Sequence, residues 1–118
     1  MRVLIAMKED CQLYRDVLAG SLKAMRPPLE VATAAPGDFE ERLESFEPHV
    51  VICGGQNFAR SEEPLAWIDL PFDPTRPLQR QAQFWVEGRC REIPNPDLQD
   101  LLSVIDEVAF ARYSGRRV

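Results

Sequence analysis

The chain is short of the groups that most enzymes and nucleic-acid binders rely on. It has one histidine, His49, so any Ser-His or Cys-His relay has a single position from which to work. Fourteen Lys and Arg stand against nineteen Asp and Glu, and the net charge of -5 removes the cationic surface that non-specific phosphate binding needs. Nucleic acid is therefore not an expected partner. The three cysteines, Cys11, Cys53 and Cys90, are odd in number and widely spaced, which fits neither a disulfide framework nor a zinc site. They read as free thiols. No apolar run approaches the ~18–20 residues of a membrane span. The opening run from Met1 to Met7 turns charged at Lys8, before a signal-peptide core could form. A cytoplasmic protein without a membrane partner, resident metal or cofactor is the expectation.

What is present is enough for one domain. The 118 residues are 45% hydrophobic and 28% charged, the proportions of a single soluble fold, expected over 1–111 with a basic tail at 112–118. Arg2 to Met7 is a short apolar run of the kind that forms a strand covered on both faces. Asp10 can then cap a helix over 11–25 whose apolar positions Leu13, Val17, Leu18, Leu22 and Met25 follow the helical period, and Pro27-Pro28 stops it. Leu29 to Ala34 reads as a second strand. Asp38 can cap a second helix carrying Phe39, Leu43 and Phe46. Pro48 ends that helix, and 49–53 form a third buried strand that runs into the Gly54-Gly55 pair, which permits a sharp turn.

The second half is less regular. Gln56 to Pro64 is too short and polar for a full third helix and reads as a loop or a single turn. Leu65 to Leu70 is a fourth strand, with Asp69 near its end suggesting a strand terminus at a cleft. Pro71, Pro74 and Pro77 impose an extended loop. Ala82, Phe84 and Val86 alternate with polar residues, and Glu87-Gly88 makes a two-residue turn into 89–93, which predicts a hairpin. A last helix starts with Asn95 as cap and Pro96 at its first position, and carries Leu98, Leu101, Leu102, Ile105, Val108 and Ala109 on one face. Strand and helix alternation of this kind predicts a doubly wound α/β sandwich with a mainly parallel sheet.

The strings R-V-L-I-A at 2–6, D-C-Q-L-Y-R-D-V-L at 10–18, P-H-V-V-I-C at 48–53 and D-L-Q-D-L-L-S-V-I-D-E-V at 97–108 resemble the receiver domain of bacterial response regulators. The likeness covers about 1–55 and the last helix. It implies a flavodoxin-like sheet of order 2-1-3-4-5 and a role in signalling. It also implies a magnesium-dependent phosphorylation site, whose parts are missing here. The acidic pair expected after strand one falls on Met7 and Lys8, the phosphoacceptor falls on Gly54, and no lysine precedes the last helix. A glycine has no oxygen to phosphorylate, and Lys8 would sit where the metal belongs.

Three functions are weighed on these residues. The first is a degenerate receiver-like domain without catalysis, acting by protein–protein interaction as a homodimer or with another signalling protein. Its expected patch is Phe58, Trp67, Phe84 and Trp85, left uncovered where the third helix is short. The second is a small-molecule or anion-binding protein using the crevice at the strand C-termini, lined by Lys8, Glu9, Asp10, Gly54, Gly55, Gln56 and Asn57. The third is a redox or metal enzyme built from Cys53, Glu9 and Asp10, although Asp10 is equally a helix cap and Cys53 equally a small core residue.

Overall fold

The computed structural model describes residues 1–7, 11–54, 64–70, 81–94 and 96–115. In chain order the elements are β1 (Arg2–Met7), α1 (Gln12–Met25), β2 (Glu30–Ala34), a short 3₁₀ turn at Pro36–Asp38, α2 (Phe39–Phe46), β3 (Val50–Gly54), β4 (Ala66–Leu70), β5 (Gln81–Val86), β6 (Arg89–Pro94) and α3 (Leu98–Gly115). The six strands form one sheet of order β2-β1-β3-β4-β5-β6. The first four are parallel, and β5 and β6 are antiparallel additions. The chain is thus α/β with a mostly parallel sheet.

The strand next to β4 departs from the all-parallel order that the receiver resemblance implies. It occupies the fifth position but runs the other way. A parallel return needs a crossover of about a dozen residues, usually helical. The sequence between β4 and β5 is shorter and carries Pro71, Pro74 and Pro77, so an antiparallel return is the one it suits. The hairpin expected over 81–93 is present. Its turn residues Glu87 (φ 51°) and Gly88 (φ 82°) both take positive φ, the geometry that matches the twist of a two-residue hairpin.

Side-chain alternation divides the interior into two cores. Val3, Ile5 and Met7 of β1, with Val50, Ile52, Ile68 and Phe84, face α1 and α3. Leu4, Ala6, Val51, Cys53 and Trp67 face α2. The central strands are covered on both sides, which is why β1 and β3 read as unbroken apolar runs. The hairpin buries Ala82, Phe84 and Val86 on the side facing α1 and α3, and Trp85 is half-buried on the other. That second side also carries Gln83, Cys90 and Glu92, all exposed, so β5 alternates where β1 does not.

Specific contacts tie the middle of α3 to the end of α1 and to the hairpin. Arg26, just past α1, makes a two-pronged ion pair with Asp106 of α3, Nε to Oδ1 at 3.0 Å and Nη2 to Oδ2 at 2.8 Å. The same contact holds the Asp106 carboxyl below its usual range. Arg91 of β6 reaches Glu107 at 3.0 Å and ties the hairpin to α3.

The ends of α2 and α3 have their own local determinants. Asp97 caps α3: the Asp100 amide donates to Asp97 Oδ1 and the Asp97 amide donates to Asp100 Oδ2, both at 2.9 Å, while Asn95, the expected cap, lies outside the described residues. This reciprocal arrangement satisfies two otherwise orphaned donors. α3 also continues to Gly115, so 112–115 belong to the helix, and 116–118 lie outside the described residues. Asp38 precedes α2 but makes no side-chain cap bond, because its backbone is already helical (φ -104°, ψ -2°) rather than extended. No helix among the described residues is long and apolar enough to cross a membrane.

Candidate functional site

The strand ends where the ligand crevice was expected are closed by packing at the one position described. Of Lys8, Glu9, Asp10, Gly54, Gly55, Gln56 and Asn57, only Gly54 lies among the described residues. It is not a turn residue. It is the buried last residue of β3, paired in register with Met7 of β1 and Leu70 of β4. A Cβ at position 54 would stand 2.7 Å from Met7 Sδ and 3.2 Å from the Leu70 carbonyl oxygen. The glycine is there because the Met7 side chain crosses its face, so close approach rather than positive φ explains the residue. The same geometry closes the position that the receiver resemblance assigns to the phosphoacceptor.

The expected aromatic patch does not form on one surface. Phe58 lies outside the described residues. Phe84 is fully buried against α1 and α3, at 0% exposure. Trp67 points to the other side of the sheet and is 3% exposed, with its ring edge-to-face with Phe39 of α2 at 5.8 Å and 87°. Trp85, paired with Trp67 across β4 and β5, is half-buried against the same cluster. The alternation of Phe84 and Trp85 was legible, but the covers are α3 and α2 of the same chain. Neither Phe84 nor Trp67 is available to a partner.

The remaining reactive groups differ in burial. Cys53 is buried in the α2-side core, its Sγ donates weakly to the Ile68 carbonyl at 3.6 Å, and burial, reinforced by the charge of Asp69, pushes its thiol up to about 12. That environment suppresses the thiolate that a redox or nucleophilic role needs. Asp69 is half-buried beside it, and burial raises its carboxyl above the usual range. Cys11 is buried at the start of α1 and Cys90 is exposed on β6. Among the described residues no group of three or more His, Cys, Asp or Glu could hold a metal ion.

At the opposite end of the sheet, a cavity of about 380 Å³ is lined by Arg2, Leu43, Glu47, Pro48, His49 and Pro64. His49 Nδ1 accepts a hydrogen bond from the Arg2 amide at 2.9 Å, and the Arg2 Nε donates to the Glu47 carbonyl at 3.0 Å. Burial, then the charges of Arg112, Arg2 and the N-terminus, lower His49 to about 4. The imidazole is neutral near pH 7 and acts as an acceptor that fixes the start of β1.

One face is apolar, accessible and unexplained by the fold. From α1 the core takes Leu18 and Leu22, with Ala19 partly buried beside them. Leu13 and Val17 are 79% and 59% exposed, and Gly20 and Ala24 continue the same line. At 100° per residue, Leu13, Val17, Gly20 and Ala24 fall within a narrow arc directly opposite Leu22. The expected apolar face of this helix therefore separates into two. Its positions span about half the circumference, more than one packed stripe can bury, and Leu13, Val17 and Met25 are left outside. The spacing of Gly20 and Ala24 with Leu13 and Val17 was the signal available in the sequence, hidden because neither small residue registers as hydrophobic pattern. Compared with family models, curated proteins and solved structures, the chain matches none.

Proposed function

We propose that this chain is a non-catalytic, receiver-like domain of signalling or regulation that works by holding another protein on the outer face of α1. The single observation carrying this reading is that Leu13 and Val17 project into solvent on the side of α1 opposite the core. Two large aliphatic side chains stacked one turn apart lie mostly in water in the single chain, and a docked protein would remove them from it. The parallel β2-β1-β3-β4 order and the placement of α1 and α3 on one side with α2 on the other support the receiver-like reading. Gly54 under Met7 supports a domain that signals by contact and not by phosphorylation.

The test is site-specific photo-crosslinking in cells, with a photoreactive residue at position 17 and a control at position 44 on the exposed side of α2. A protein adduct from 17 that is absent from 44 is the expected result. Adducts from neither position, or equal adducts from both, would remove the reading.

A further inference from the structure

The exposed face of α1 carries the information needed to say what covers it. We propose that the occupant is a second copy of this chain, docked helix to helix and antiparallel. The inference rests on the reading of α1 as the contact face and names its partner. Leu13, Val17, Gly20 and Ala24 are spaced four, three and four apart, the narrow seam of a two-helix coiled coil rather than the broad stripe of a core-facing helix.

A two-fold axis crossing α1 between Leu18 and Ala19 brings Leu13 against Ala24 of the other copy and Val17 against Gly20. Each large side chain then meets a small one, four times along about 16 Å of helix. A parallel pairing would instead set Leu13 against Leu13 and Gly20 against Gly20, crowding one layer and leaving another empty. Gly20 has a further meaning in this arrangement. It lies mid-helix, where glycine is unfavourable, and a Cβ there would meet nothing within 4 Å in its own chain. The space beside it is open to a partner.

The charges agree with the same geometry. Asp16 and Lys23 flank one side of the seam, both exposed. In an antiparallel pair, like flanks face each other, so Asp16 meets Lys23 of the second copy and the contact occurs twice by symmetry. In a parallel pair Asp16 would face the flank that carries Ser21, and no opposite charges would meet. Lys23 uses one of its three N–H donors on the Leu29 carbonyl at 2.6 Å, and Asp16 takes one contact from Arg15 at 3.3 Å. Both keep capacity for a further partner.

Sedimentation equilibrium of the full chain from micromolar to millimolar concentration tests the inference. The mass is expected to rise reversibly from 13.5 kDa towards twice that value. Gly20→Leu, which fills the hole, and Asp16→Lys, which sets like charges together, should each move the midpoint about tenfold or more to higher concentration. The double exchange Asp16→Lys with Lys23→Asp should restore it, which only an antiparallel contact predicts. A chain that stays monomeric throughout overturns the second copy as occupant, while a crosslink from position 17 to a different protein would keep the contact face. A dimer indifferent to both single changes overturns the α1 contact itself, and failure of the exchange to restore association overturns the antiparallel arrangement.

Discussion

Val17 and Leu18 are adjacent in the chain and about 100° apart around α1, which is enough to pack Leu18 in the main core and leave Val17 mostly in water. Their substitutions should separate accordingly. Leu18→Ala leaves a cavity beneath the helix and should cost about 2–4 kcal/mol in urea denaturation. Val17→Ser, measured at concentrations low enough to keep the chain monomeric, should change stability by no more than about 0.5 kcal/mol. Similar large losses for both would mean that Val17 packs within its own chain and that the exposed seam is wrongly placed.

The contact between Met7 and Gly54 has its own test. Gly54→Ala puts a methyl where Met7 Sδ lies and should cost about 1–3 kcal/mol by overpacking. Met7→Ala alone should cost about 2–4 kcal/mol, because Met7 is buried between β1 and the helices. The double substitution should cost at least about 1 kcal/mol less than the two added together, since removing the sulfur makes room for the methyl. Strict additivity would show that the two residues do not touch.

How much of this could be read in advance follows from how each segment is buried. β1 and β3 were legible because both of their faces are covered, which leaves an unbroken apolar run, and the hairpin was legible through alternation at 82–86 and the turn at Glu87-Gly88. The direction of β5 was not, because strand pairing is a property of the connection and the sheet edge, which no local pattern encodes. The division of labour on α1 was missed for a related reason. Periodicity reports that Leu13, Val17, Leu18 and Leu22 lie on a helix, but the side that meets the sheet is chosen by Val3, Ile5 and Leu29 elsewhere in the chain. Phe84 and Trp67 misled in the opposite direction: large aromatics on an irregular stretch suggested an open surface, and distant helices cover both. At the strand C-termini, Gly54 carries its meaning through Met7, a residue 47 positions away whose sulfur no spacing rule would place there.

Thiol reactivity should distinguish the three cysteines. Cys90 is exposed on the open side of β6, whereas Cys11 and Cys53 are buried and Cys53 is held as the neutral thiol. In the folded protein at pH 8, an aromatic disulfide reagent should react quickly with one thiol, and Cys90→Ser should abolish that reaction. All three should react after unfolding. Rapid labelling of Cys53 in the native state would contradict its burial and reopen a redox role.

The bond from the Arg2 amide to His49 Nδ1 requires a neutral ring, and this makes stability depend on pH in a defined direction. His49 falls from an ordinary value of 6.5 to about 4 on folding. Between those values the unfolded chain binds a proton that the folded chain refuses. The contribution of His49 is therefore fully present above about pH 6.5 and is lost progressively as pH falls towards 4. Because the ring is partly open to solvent, screening reduces the effect to about 1 kcal/mol. His49→Gln keeps an acceptor for the Arg2 amide without titrating, so its stability should be flatter across this window than that of the wild type. Glu30 opposes the shift and Arg112 contributes to it. Arg112→Gln should accordingly raise the His49 titration midpoint, read directly from the imidazole proton resonances, without abolishing the fold. A His49 midpoint that stays near 6.5 in the folded wild-type protein would mean that the ring is solvated and does not hold the start of β1.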